Sequence, residues 1–170
     1  MKTRIRIIYL SIGFFTLALT GCMRDEQQGP AGQDATVYYS EWFSTSAWSG
    51  STGNWYFDAT APDLTQDIVE SGVILTYCWL AGDLYDGSTV KPLPAYAVGA
   101  NWDYLIHSYG SMQITCDMTA LPSTTGNKFR FIAIPGTITA LKSQSFNGKN
   151  LNELKDMTYK DVCKLYNIPE

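Results

Sequence analysis

The chain of 170 residues has one histidine, His107, and no recognisable catalytic signature. Gly-x-Ser-x-Gly, His-Glu-x-x-His and the phosphate-binding loop are all absent, so no motif names a reaction or a cofactor. Zinc needs clustered ligands, and Cys22, Cys78, Cys116 and Cys163 show no metal-type spacing with one another or with His107. His107 sits in an aromatic strand near Asp103 without a nucleophile motif, a setting typical of a hydrogen-bonded structural histidine rather than a catalytic base. Charge is scarce: 16% of residues are charged while 14% are aromatic, the composition of a folded domain rather than a disordered chain. Beyond the first 21 residues no apolar run is long enough to cross a membrane as a helix.

The amino terminus is where the sequence is most specific. Lys2, Arg4 and Arg6 precede an apolar run from Ile7 to Leu19, a basic region joined to a hydrophobic one. As a helix that run reaches roughly 20 Å, short of the roughly 30 Å hydrocarbon core. It ends in Leu19-Thr20-Gly21-Cys22, which resembles a lipobox. The resemblance implies that residues 1–21 are a lipoprotein signal peptide cleaved after Gly21. Cys22 then carries a diacylglyceryl thioether, and further acylation of the new amino terminus stabilises the anchor. Removing residues 1–21 takes away three of the 12 Lys and Arg and none of the 16 Asp and Glu, leaving a net charge of −7. Such an acidic surface argues against nucleic acid as a partner.

Met23-Arg24-Asp25-Glu26 is similar to the short signals that carry some Gram-negative lipoproteins outward, and Met23 stands where inner-membrane retention would call for Asp. The expected address is therefore the bacterial outer membrane, with the protein held by the lipid on Cys22. Gly29-Pro30-Ala31-Gly32 begins like a collagen triplet repeat, but Ala35 occupies the third glycine position, so residues 22–35 read as an anchor and Gly/Pro spacer. The layout of lipobox, GPAG spacer and aromatic β-rich domain resembles a group of small Gram-negative bacterial lipoproteins. That resemblance implies a location but no activity.

Residues 36–170 read as one domain. Candidate strands are Thr36–Phe43, Asn54–Ala59, Val73–Leu80, Tyr96–Val98, Tyr104–Tyr109, Ser111–Met118 and Lys128–Ile134, separated by Gly, Pro, Asp and Ser turns. No stretch between Thr36 and Ile134 keeps a helical period. The expectation is a mainly β fold: an antiparallel β-sandwich over about Thr36–Leu141 with a short C-terminal helix at its edge or end. Val73, Leu75, Tyr77 and Trp79 share one face and Ile74, Thr76, Cys78 and Leu80 the other, so this strand reads as central and covered on both sides. Met112, Ile114, Cys116 and Met118 alternate with Gln113, Thr115 and Asp117, a half-buried pattern. Thr158 and Asp161 match a capping box, Val162, Leu165 and Tyr166 give the helix an apolar face, and Pro169 stops it.

Four readings concern sites. Cys78 and Cys116 lie in strands and either form a disulfide in the oxidising envelope or remain buried thiols. Asp83-Leu84-Tyr85-Asp86-Gly87 offers two carboxylates, thin support for calcium, and a hairpin turn accounts for the same residues. Trp48, between Ser44-Thr45-Ser46-Ala47 and Ser49-Gly50, reads as a ring in a polar, exposed loop that could bind a glycan or protein, with folding back onto the sandwich as the other option. Trp55 and Trp79 read as core. Three function classes follow: a non-catalytic binding or accessory lipoprotein, a structural envelope component, and, with no motif behind it, a hydrolase using paired carboxylates.

Overall fold

Seven consecutive pairs, from Val73↔Ile134 to Trp79↔Lys128, join β4 (Val73–Trp79) to β9 (Lys128–Ile134) at the centre of the molecule. The computed structural model describes residues 36–83, 90–136 and 146–170. The signal peptide, Cys22 and spacer, Asp86 and Gly87 of the acidic turn, and the expected end of the sandwich at Leu141 lie outside the described residues. The short strands β1 (Tyr38–Tyr39) and β5 (Lys91–Pro92) complete a four-stranded sheet in the order β1-β9-β4-β5. The second sheet runs β2 (Ser49–Ser51), β3 (Asn54–Thr60), β8 (Ser111–Cys116), β7 (Ala100–Ser108), β6 (Ala95–Ala97). All pairings are antiparallel.

The layer between the sheets holds Phe57, Trp102, Met112, Ile114 and Cys116 from one side and Cys78, Phe129, Phe131 and Ala133 from the other. Strand alternation produces this directly, since residues two apart share a face. The hydroxyl of Tyr104 on β7 donates to the Ile74 carbonyl on β4 at 3.3 Å, tying one sheet to the other. The chain is therefore a mainly β, antiparallel sandwich, as its strand pattern foretold.

β4 and β9 are apolar on their outer face as well, and that face cannot be left in water. Val73, Leu75, Tyr77, Ile132 and Ile134 are covered by Leu154, Tyr159, Val162, Cys163 and Ile168 from the C-terminal segment. Two short helices supply that cover: α2 (Leu151–Asp156) and α3 (Tyr159–Tyr166). The helical segment thus forms a third layer on the four-stranded sheet, which corrects the expectation that it packs on an edge or end of the sandwich. The two-sided apolar pattern of Val73–Leu80 required such a cover.

Caps define both helices. Asn150 Oδ1 accepts from the backbone N–H groups of Asn152 and Glu153, both at 3.0 Å, while Glu153 Oε2 accepts from Asn150 N at 2.7 Å. Thr158 Oγ1 accepts from Asp161 N at 3.3 Å and donates to its carboxylate at 2.6 Å. α3 ends at Tyr166, three residues before Pro169, capped by Asn167 in the left-handed conformation with φ 53°.

Other departures have local causes. The expected strand Thr36–Phe43 pairs only at Tyr38–Tyr39 and again at Phe43↔Phe129. Three residues on its side oppose two on β9 in between, so Ser40, Glu41 and Trp42 bulge. β2 escapes a strand reading because Ser-Gly-Ser has turn composition. Its Gly50 has φ 105°, and a Cβ there would lie 2.0 Å from the Asn54 carbonyl oxygen, so only glycine fits. α1 (Gln66–Ser71) buries Ile68 and is too short to display a period.

Candidate functional site

Trp48 does not stand in solvent. It is 9% exposed, and its indole Nε1 donates to the Ser123 carbonyl at 3.3 Å. Its ring packs edge-on to Phe57 at 4.9 Å, Trp102 at 5.8 Å and Phe129 at 6.5 Å. Register explains the inversion: Ser49 pairs with Tyr56, so Trp48 extends the edge strand opposite the inward-facing Phe57. Its polar neighbours Ser46 and Ser49 remain exposed while the ring turns in. The expectation of an exposed binding ring at Trp48 is thereby corrected, and the residue belongs to the core.

The described cysteines are free thiols. Cys78 and Cys116 are buried in the layer between the sheets, and Cys163 beneath the helical layer. The disulfide reading for Cys78 and Cys116 gives way to its alternative, two buried thiols. Burial pushes Cys78 up to about 12 and raises Cys116 and Cys163 as well. Among the described residues no group of three His, Cys, Asp or Glu side chains is placed to hold a metal ion. Asp83, from the acidic turn, is buried and forms an ion pair with Lys91.

With one sheet covered on both sides, the solvent face of the five-stranded sheet is what remains open. Its outward residues follow from register. Tyr96 pairs with Asn101, Asp103 with Thr115 and Leu105 with Gln113; Thr115 and Gln113 in turn meet Tyr56 and Asp58. Asp117 continues the row of Asn101. The five strands contain no Lys or Arg, so this face carries three carboxylates, Asp58, Asp103 and Asp117, with His107 at one end.

Most of these polar groups are held in place. Asp117 accepts from Asn101 Nδ2 at 2.6 Å and from Asn101 N at 2.7 Å, and those bonds, side chain first, hold it below the usual carboxylate range. Asp58 accepts from Gln113 Nε2 at 2.8 Å and lies 3.4 Å from His107 Nε2; the Gln113 bond, then that of His107, lowers it too. His107 is thus an exposed partner of Asp58. Asp103 Oδ1 accepts from Tyr104 N at 2.7 Å, and among the described residues its Oδ2 has no hydrogen-bond partner.

At the β6–β7 edge the face dips into a shallow open groove of about 290 Å³, lined by Pro94, Ala95, Tyr96, Asn101, Trp102 and Asp103. Tyr96 is 70% exposed beside it. No local composition marks Tyr56 and Tyr96 off from the core aromatics. Strand alternation against the buried Phe57, Ala97 and Trp102 was the signal that could have done so.

No family model, curated protein or solved structure matches the chain.

Proposed function

We propose that the protein is an outer-membrane lipoprotein, anchored through the lipid on Cys22, whose sandwich is a non-catalytic binding domain. Its binding surface is the open face of the five-stranded sheet. One asymmetry carries this reading: the four-stranded sheet is covered on both sides, whereas the five-stranded sheet turns toward water a face with Tyr56, Tyr96, Leu105 and three carboxylates. Tyr96 and Leu105 contribute little to the core at 70% and 51% exposure, and side chains of this kind on a rigid sheet are suited to a partner. The spacer of residues 22–35 gives the domain reach above the membrane.

An array of glycans and peptides probed with the lipidated full chain in detergent micelles tests the proposal. A Leu105→Arg, Asp103→Arg variant keeps the fold, because both positions face solvent, and should lose whatever ligand the parent retains. A parent that retains nothing would favour a structural role in the envelope instead, and a variant that binds as well as the parent would move the binding surface off this face.

A further inference from the structure

We infer that the open face takes a neutral oligosaccharide, with one sugar ring stacked on Tyr96 in the groove at the β6–β7 edge. This rests on the reading of that face as the binding surface, and it names the ligand class. A sugar ring has an apolar C–H face and a rim of hydroxyls. The groove has matching halves: Pro94 and the Tyr96 ring are apolar, while Asn101 and Asp103 bring an amide and a carboxylate to the same edge.

Charge excludes one ligand class. Asp103 and Asp117 flank Asn101, and no Lys or Arg lies in the five strands, so an anionic polymer is repelled. Hydroxyls, by contrast, donate readily to carboxylates, in charge-assisted bonds. Asp103 Oδ2 is available for this, because only its partner oxygen is occupied by Tyr104 N. Asn101 is clamped by Asp117 through two bonds and is already ordered before any ligand arrives.

The face is also long enough for a chain rather than a single sugar. Tyr96 on β6 and Tyr56 on β3 are three strand spacings apart, about 14 Å across the sheet. Asn101, Asp117, Asp103 and Thr115 lie between them. An oligosaccharide crossing the strands would place polar contacts mid-chain and ring contacts at both ends.

The test titrates the full chain in micelles with cellohexaose, xylohexaose and chitohexaose as neutral probes. Hexagalacturonate serves as the anionic probe and hexalysine as the cationic one. At least one neutral probe should bind and hexagalacturonate should not. Tyr96→Ala should weaken that binding about tenfold at unchanged melting temperature, while Tyr96→Phe, which keeps the ring, restores it. Asp103→Asn should also weaken it. Three outcomes overturn the inference: no neutral probe binds, Tyr96→Ala binds like the parent, or hexagalacturonate binds best. Binding of hexalysine alone, lost in Tyr96→Ala, overturns the sugar while leaving the face as the binding surface. Loss of every ligand on the wider array overturns both.

Discussion

The guanidinium of Arg130 meets the hydroxyl of Tyr159 at 2.6 Å inside the helical layer, joining β9 to α3. Arg130 is 2% exposed, and among the described residues no carboxylate lies within salt-bridge distance of it. Its remaining bonds go to backbone carbonyls, Ser40 at 2.8 Å and Pro169 at 2.5 Å, with the rings of Tyr39 and Trp42 stacked at 5.1 and 5.9 Å. A buried charge persists only when its donors are used, and here they fasten the first strand and the last residues to one sheet.

Arg130→Ala therefore removes the guanidinium's bonds to two carbonyls and to the Tyr159 hydroxyl, and should cost about 2–4 kcal/mol in urea unfolding. Tyr159→Phe removes the hydroxyl's bonds to Arg130 and Cys163 and should cost about 1–2 kcal/mol. Limited proteolysis should cut the Arg130→Ala chain ahead of α2 first. Equal stability of Arg130→Ala and parent would mean that the clamp does not hold the layer.

Trp48→Ala should destabilise the domain by about 3–5 kcal/mol, because it empties the centre of a cluster with Phe57, Trp102 and Phe129. Thermal melting of the two chains reads this out. A near-unchanged melt would return Trp48 to the surface, where its polar flanks first suggested it.

The contrast between Trp48 and β4 explains what the sequence could reveal. Both faces of Val73–Leu80 are apolar, so a buried central strand was legible, as was the alternation of Ser111–Cys116 and the cap at Thr158. Trp48 was not, because its direction depends on the pairing of Ser49 with Tyr56, a relation between segments rather than within one. The same holds for the open face. Tyr96 and Asp103 become neighbours through the β6–β7 register, and α2 covers the sheet only because Leu154 finds the apolar side of β4.

Cys78 supplies a pH test. Its folded-state pKa of about 12 lies above the ordinary 9.0, so the folded chain keeps a proton that the unfolded chain releases. Stability from this thiol is complete below pH 9 and falls as pH rises toward 12, by up to about 1.4 kcal/mol per unit. Cys78→Ala should flatten the alkaline limb of a stability–pH curve. The parent should also resist iodoacetamide at pH 8 until unfolded; rapid labelling of Cys78 in the native chain would contradict its burial.

Mass spectrometry of the membrane fraction should find an amino-terminal peptide beginning at an acylated Cys22. Cys22→Ser should leave the precursor uncleaved and unlipidated. An unmodified, soluble Cys22 form as the main species would remove the anchor from the account.

The open face itself is tested most directly by two-dimensional NMR of the isotope-labelled chain titrated with the neutral hexaoses. Amide signals of Tyr56, Tyr96, Asn101, Asp103 and Asp117 should move together with added sugar, while those of Leu154 and Val162 beneath the helical layer stay still. No shift at saturating sugar would overturn the sugar as ligand, and shifts confined to the helical layer would contradict the assignment of the five-stranded sheet as the binding surface.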